Sequence, residues 1–228
     1  MGRISIIIPA LNEENGIERA ISAIPKDEIE RMGYEVQILV VDNGSDDSTG
    51  ELAARAGAEV IIEPERGYGK AYKAGFARAQ GEIIATADAD HTYPIEDIPR
   101  LLRILEEENL DFITTDRFTY MEDGAMSLSN RFGNAVLNLA VRVLFRLNLK
   151  DSQSGMWLFR RELLDRMVLR ANSMAFSEEI KLEACYFIKS RWKEVPIRYR
   201  ARLGKSKLRK WRDGLGNLCY LIKKRFIR

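Results

Sequence analysis

Near-continuous apolar runs alternate, through the first half of the chain, with stretches whose apolar positions recur every three to four residues. The runs RISIIIPA (3–10), EVQILVVD (35–42), AEVIIEP (58–64), EIIATADAD (82–90) and LDFITTDRF (110–118) read as strands. Between them the spacing predicts helices. One starts near Glu13, with Asn12 as its cap, and one starts after Ser48, where Ser48 and Glu51 offer a capping box. Two more cover 69–80 and 95–109. Strands apolar on both faces, interleaved with helices, predict an α/β fold with a mostly parallel, doubly wound sheet flanked by helices. Such sheets bind ligands beyond the carboxyl ends of their strands. Asn12-Glu13, Asp42 and Asp88-Ala89-Asp90 fall at those ends.

After about residue 123 the pattern changes. Residues 128–147, LSNRFGNAVLNLAVRVLFRL, predict a long helix. Arg131, Asn134, Asn138, Arg142 and Arg146 share about a third of its circumference, so the apolar remainder needs cover from protein or lipid. At the C-terminal end Trp211, Leu215, Leu218, Cys219, Ile222 and Phe226 form one helical stripe. Arg209, Lys210, Arg212, Lys223, Lys224 and Arg228 lie mostly on the other side. This C-terminal amphipathic helix fits a membrane interface, and packing on its own domain is the alternative.

The net charge of +2 hides a polarised chain. Residues 191–228 carry 14 Lys or Arg against two acids, and residues 1–190 carry 22 against 32. A basic tail on an acidic body points to an anionic partner. No recognition motif supports nucleic acid in that role. Two cysteines, far apart, exclude a disulfide framework or a cysteine metal site. The first residues read as a strand rather than a signal peptide, and no 18-residue apolar run is present. The expected location is cytoplasmic, held peripherally at the cytoplasmic face of a membrane, alone or through a separate membrane partner.

Asp88 and Asp90 fall one residue apart at a strand end, where alternation would turn both to one side. They can be turn acids before Pro94. They can also hold Mg²⁺ or Mn²⁺ with the oxygens of a substrate diphosphate completing the shell. Gly67-x-Gly69 lacks the third glycine of a dinucleotide fingerprint and does not follow the first strand.

SIIIPALNEE, VVDNGSDDST, GYGKAYKAGF and DADHTYP, taken in order, resemble the nucleotide-sugar half of a family-2 glycosyltransferase with a GT-A fold. DSQSGMWLFRR, FSEE and EVPIRYRARLGKSKL resemble the subgroup that includes dolichol-phosphate mannose synthase. The resemblance implies a nucleotide-sugar-binding half over 1–125, an acceptor-binding half of the same domain over 126–208, and a membrane-interface tail over 209–228. It implies donor contacts from Pro9, Asn12, Glu14, Asp42, Asp88, Arg202 and Lys205, with metal on Asp88 and Asp90. Arg117, Arg131, Gln153 and Glu179 would meet the acceptor, and Asp90, Arg117 and Arg131 would carry catalysis. The motif departs from its relatives at Thr92, where Gln is common; His91 beside it can touch diphosphate or sit in a surface turn.

The implied reaction is metal-dependent, inverting transfer of a hexose, mannose favoured, from a nucleotide-diphosphate sugar to a polyprenyl phosphate. That acceptor is already an oxyanion and needs no base, so positioning and charge stabilisation suffice. Transfer from UDP-glucose or UDP-N-acetylglucosamine, or to a sugar hydroxyl with Glu179 or Asp151 as base, is the alternative. A silent nucleotide-sugar-binding module is the alternative from another class.

Overall fold

The computed structural model describes residues 1–202 and 210–227; the expected lid residue Lys205 lies outside them. The strands are β1 (Gly2–Ala10), β2 (Tyr34–Asp42), β3 (Glu59–Ile62), β4 (Ile83–Thr86), β5 (Phe112–Met121), β6 (Trp157–Arg160) and β7 (Trp192–Tyr199). The helices are α1 (Ile17–Ser22), α2 (Lys26–Arg31), α3 (Thr49–Arg55), α4 (Tyr68–Arg78), α5 (Ile98–Glu107), α6 (Leu128–Phe145), α7 (Phe176–Leu182) and α8 (Lys210–Phe226).

One seven-stranded sheet runs β3-β2-β1-β4-β6-β5-β7. Side chains alternate across it, which is why its central strands are apolar throughout. Ile6 and Ile8 of β1 pack with Val40, Ile83 and α5 on one face. Ile7 turns to the other face, with Leu39, Ile84, Tyr72 and Trp157. All pairings are parallel except those of β6, which runs antiparallel to β4 and β5. The sheet is therefore mixed. β6 comes from the second half of the chain and lies between two strands of the first, so both halves share one sheet.

Three local expectations give way. Asn12 does not cap α1: it sits at φ +50°, its side chain accepts from Asp46 N, and its N–H donates to Ser45 Oγ. The capping box at Ser48 does not form; Asp47 instead accepts from the Thr49 N–H and hydroxyl. β4 ends at Thr86, so Asp88 and Asp90 lie in a turn beyond it and strand alternation does not orient them.

The C-terminal stripe divides. Leu218 and Leu221 pack against Leu137, Val141 and Phe145 of α6, whereas Leu215, Ile222 and Phe226 remain exposed. Lys224, expected on the solvated side, is buried. Its ammonium lies 3.0 Å from Glu179 Oε1 and 2.8 Å from Glu183 Oε1 and donates to Val168 O. This cation fastens α8 to the π-helical extension of α7 (Glu183–Phe187). Removing it leaves two buried carboxylates without their counter-charge, a loss of about 3–5 kcal/mol. Lys224→Ala should lower the free energy of urea unfolding by about that amount, with amide exchange rising first in α8.

Candidate active site

A cavity of about 330 Å³ opens at the carboxyl ends of β1 and β4, with Pro9, Asp88, Asp90, Arg117 and Arg202 in its wall. A second cavity, of about 260 Å³, lies between α6, α8 and the end of β5. Arg117, Gln153, Met174, Tyr199 and Arg202 line both. The two guanidinium groups thus stand where the cavities meet.

Asp88 is half-buried and Asp90 is buried. The Thr92 N–H and hydroxyl donate to Asp90 Oδ1 at 3.0 and 2.6 Å, and Arg202 lies 2.5 Å from Oδ2. Thr92, the departure from the family motif, therefore holds Asp90 in place. Burial first, and then the charge of Asp90, push Asp88 up to about 7, although Arg202 and Arg117 act against the rise. A carboxyl pushed up this far marks a site short of positive charge. The acid pair therefore fits a divalent cation. Among the described residues no group of three or more His, Cys, Asp or Glu could hold a metal alone. Asp88 and Asp90 would hold Mg²⁺ or Mn²⁺ with substrate oxygens, and the ion when bound would neutralise diphosphate charge.

Arg117 is buried on a two-pronged ion pair. Its Nε and Nη2 donate to Asp151 Oδ2 and Oδ1 at 2.6 and 2.8 Å, and its guanidinium carbon lies 5.3 Å from the Tyr199 ring and 5.9 Å from that of Phe118. Burial would raise the Asp151 carboxyl, but Arg117 and then Lys181 outweigh it and hold it below the usual range. Bidentate pairing fixes the fork and leaves Arg117's remaining edge for the cavity. α4 adds positive character, because Gly67 and Tyr68 at its N-terminal end line the first cavity. The glycines of GYG serve packing: a Cβ on Gly69 would stand 2.3 Å from Ala171 O.

Of the expected donor contacts, Pro9, Asp88 and Arg202 line the first cavity; Asn12, Glu14 and Asp42 do not. Those three brace the neighbouring loop, with Glu14 accepting from Ser48 N and Asp42 from Ser45 N. Leu11, Glu13 and Asn43 take their places in the wall. Arg131 is exposed and lines neither cavity, because α6 turns Asn130, Asn134 and Leu137 inward. His91 is buried at φ +68° near Arg19 and Arg200 and is neither a surface residue nor in the cavity wall.

Glu179 also points away from both cavities. It is wholly buried and accepts from Arg170 N, Ala171 N, the Tyr220 hydroxyl and Lys224. Its neighbour Glu178 lines neither cavity but reaches a residue that lines both: it accepts from Gln153 Nε2, while Gln153 Oε1 accepts from Asn217 at 2.9 Å. Burial, more than Lys181 and the Gln153 amide that oppose it, holds Glu178 well above the usual carboxylate range. The sequence reading missed Glu178, Tyr68, Tyr93 and Asn217. The FSEE pair contained the signal for Glu178, but only helix phase tells the two acids apart.

With this geometry in view, the relatives are informative. Residues 5–168 match the family described as Glycosyl transferase family 2. The chain belongs to that family. It is 34% identical over 222 residues to the low-salt glycan biosynthesis hexosyltransferase Agl6 of Haloferax volcanii, covering 96% of this chain and 53% of Agl6. It thus spans about half the length of that relative. It is 31% identical over 210 residues to a dolichyl-phosphate hexose transferase of the same organism, covering 90% of this chain and 86% of the relative. The fold is shared with glucosyl-3-phosphoglycerate synthase of Mycobacterium tuberculosis, solved with Mn²⁺, UDP and phosphoglyceric acid. The TM-score is 0.76 at 21% identity, over 98% of this chain and 78% of that one.

Two outcomes test the site. A carboxyl raised to about 7 keeps its proton below that pH, and a cation must displace it. Mn²⁺ affinity, measured by calorimetry with UDP present, should therefore rise about tenfold per pH unit below 7 and level off above it. Glu178→Gln, which keeps an oxygen to accept from Gln153 and removes a buried carboxyl, should change unfolding free energy by less than about 1 kcal/mol. Glu179→Gln, which weakens the partner of buried Lys224, should cost about 3 kcal/mol.

Proposed function

We propose that this chain transfers a hexose from a nucleotide-diphosphate sugar to an acceptor that carries phosphate, with UDP-glucose the first donor to test. The supporting observation is that Arg117 and Arg202 stand at the junction of two cavities. The donor diphosphate would lie in the first, beside Asp88 and Asp90, with Arg202 moving from Asp90 onto its oxygens. The acceptor phosphate would lie in the second, against the free edge of Arg117. An acceptor oxygen then attacks the anomeric carbon, the bond to the diphosphate breaks, and the electron pair leaves with the diphosphate. Arg117, fixed by Asp151, orients the nucleophile, and Arg202 stabilises the leaving charge.

Two acceptors suit this arrangement. The mycobacterial synthase whose fold the chain shares was solved with UDP-glucose and phosphoglyceric acid, and a small phosphorylated acceptor of that kind would attack here through a hydroxyl. Such a hydroxyl must lose a proton. Asp151 is locked on Arg117 and Glu179 on Lys224, so neither serves as the base. The second acceptor is a polyprenyl phosphate, whose oxyanion needs no base. It is supported by the named acceptor of the 31% identical dolichyl-phosphate hexose transferase and by the absence of any carboxylate or histidine among the described residues lining the second cavity. The preference for mannose rests on the resemblance alone, and GDP-mannose is the second donor to test.

Labelled UDP-glucose, UDP-N-acetylglucosamine and GDP-mannose, each with Mn²⁺, should be offered with phosphoglyceric acid and with a short polyprenyl phosphate. Labelled product on either acceptor supports the reading and identifies the nucleophile; no product on both overturns it. Asp90→Ala should lower turnover by about a hundredfold or more. Arg202→Ala should lower turnover with little change in stability, because Asp90, with which it pairs, is also held by Thr92.

A further inference from the structure

α6 carries a row of large apolar side chains that stand exposed, with no cover from the described residues. Leu128, Phe132, Val136, Leu139 and Val143 are all exposed, Leu128 at 81% and Phe132 at 69%. Their spacing places them on one side of the helix, a strip about 22 Å long. Leu137, Val141 and Phe145, on the opposite side, make the contact with the body. The exposed row is thus a separate surface from the one that holds α6 in place.

α8 extends the surface. It lies beside α6 and runs in the same direction: Gly214 and Asn217 meet Gly133 and Asn134 across the second cavity, and Arg225 Nε donates to Leu144 O at 2.9 Å. Leu215, Ile222 and Phe226 are exposed. They lie about a quarter turn from the side of α8 that faces α6, and the α6 row lies well over a quarter turn from the side that faces α8, in the opposite sense. For parallel neighbours this turns both rows to the same side. Among the described residues no helix is long and apolar enough to cross a membrane, so this face is not a span.

Charge selects the occupant. α6 contains no Asp or Glu, and α8 contains only Asp213. Arg131 and Arg142 border the α6 row, and Lys223 and Arg225 are exposed on α8. A second copy of the chain would bring the same cations against themselves across an isologous interface. An anionic lipid surface takes both the apolar rows and the cations that border them.

We propose that the joint outer face of α6 and α8 docks on an anionic bilayer, with the α6 row, more than the basic tail, entering the interface. The opposite sides of the same two helices wall the second cavity, so docking brings that cavity to within about one helix diameter, about 10 Å, of the head groups. The docking stands independently of the transfer reaction proposed above and gives that reaction a lipid partner.

The full chain should float with vesicles of phosphatidylcholine and phosphatidylglycerol, and far less with phosphatidylcholine alone or at high salt. Phe132→Asp and Leu139→Asp should each weaken partition about tenfold, with thermal unfolding unchanged because both side chains are exposed. Wild-type protein that does not float, or variants that float as well as wild type, would overturn the proposal. So would a dimer in light scattering that Phe132→Asp splits, since the face would then belong to a second copy. Transfer to a water-soluble acceptor without vesicles should survive both substitutions. Loss of transfer in wild type with flotation intact would count against the transfer reading and leave the docking face standing.

Discussion

The pairing of Arg117 with Asp151 is the interaction on which the site depends. It joins the middle of β5, at its break in register, to the DSQSG loop, and the loop is tied in turn to α7 and β7. Lys181 Nζ donates to Asp151 O, and Glu194 accepts from the N–H groups of Lys150 and Asp151. Burying these charges is costly, and pairing repays the cost only when geometry and hydrogen bonding are complete. Here the carboxylate accepts from Arg117 Nε, Nη2 and N and from Gln153 N, so both its oxygens are occupied. A guanidinium held this firmly meets an anionic ligand without first being ordered, which is the meaning of preorganisation for a positioned charge.

The same loop controls what lies around that charge. Gly155 follows DSQS, and a Cβ there would stand 2.4 Å from the Tyr68 hydroxyl. Its N–H donates to the Tyr93 hydroxyl, and its carbonyl accepts from Thr86 at the end of β4. The loop therefore sits on the strand that leads to Asp88. One chain segment fixes the cation of the second cavity and packs against the approach to the acids of the first. Glu178, Gln153 and Asn217 continue the line outward to α8, so the docking of the last helix is coupled by hydrogen bonds to a side chain that lines both cavities.

α8 shows how one amphipathic pattern can serve two surfaces. Its apolar stripe is shared between α6 and the exterior, and one of its basic residues becomes a buried tether on Glu179 and Glu183. The result is a two-helix layer whose inner side closes a cavity and whose outer side is apolar with a basic border.

The alternation of apolar strands and helical spacing was enough to determine the α/β class, the positions of the first five strands and the clustering of polar residues at strand ends, but not β6 or β7. The ordered motifs were enough to indicate the family, because short-range spacing and residue type survive in sequence. Other features depended on contacts between distant segments. The antiparallel insertion of β6 is a pairing between strands some 70 residues apart, and no local pattern encodes it. Phase on a helix, set by packing, separated Glu178 from Glu179 and turned Arg131 outward while Asn134 faced the cavity. Asn12 and Asp42 kept their strand-end positions yet spent their hydrogen bonds on a neighbouring loop. Asp88 and Asp90 were conspicuous as residues from the start; what brings them to one cavity is the turn beyond Thr86, held by Thr92, and only the folded chain supplies it.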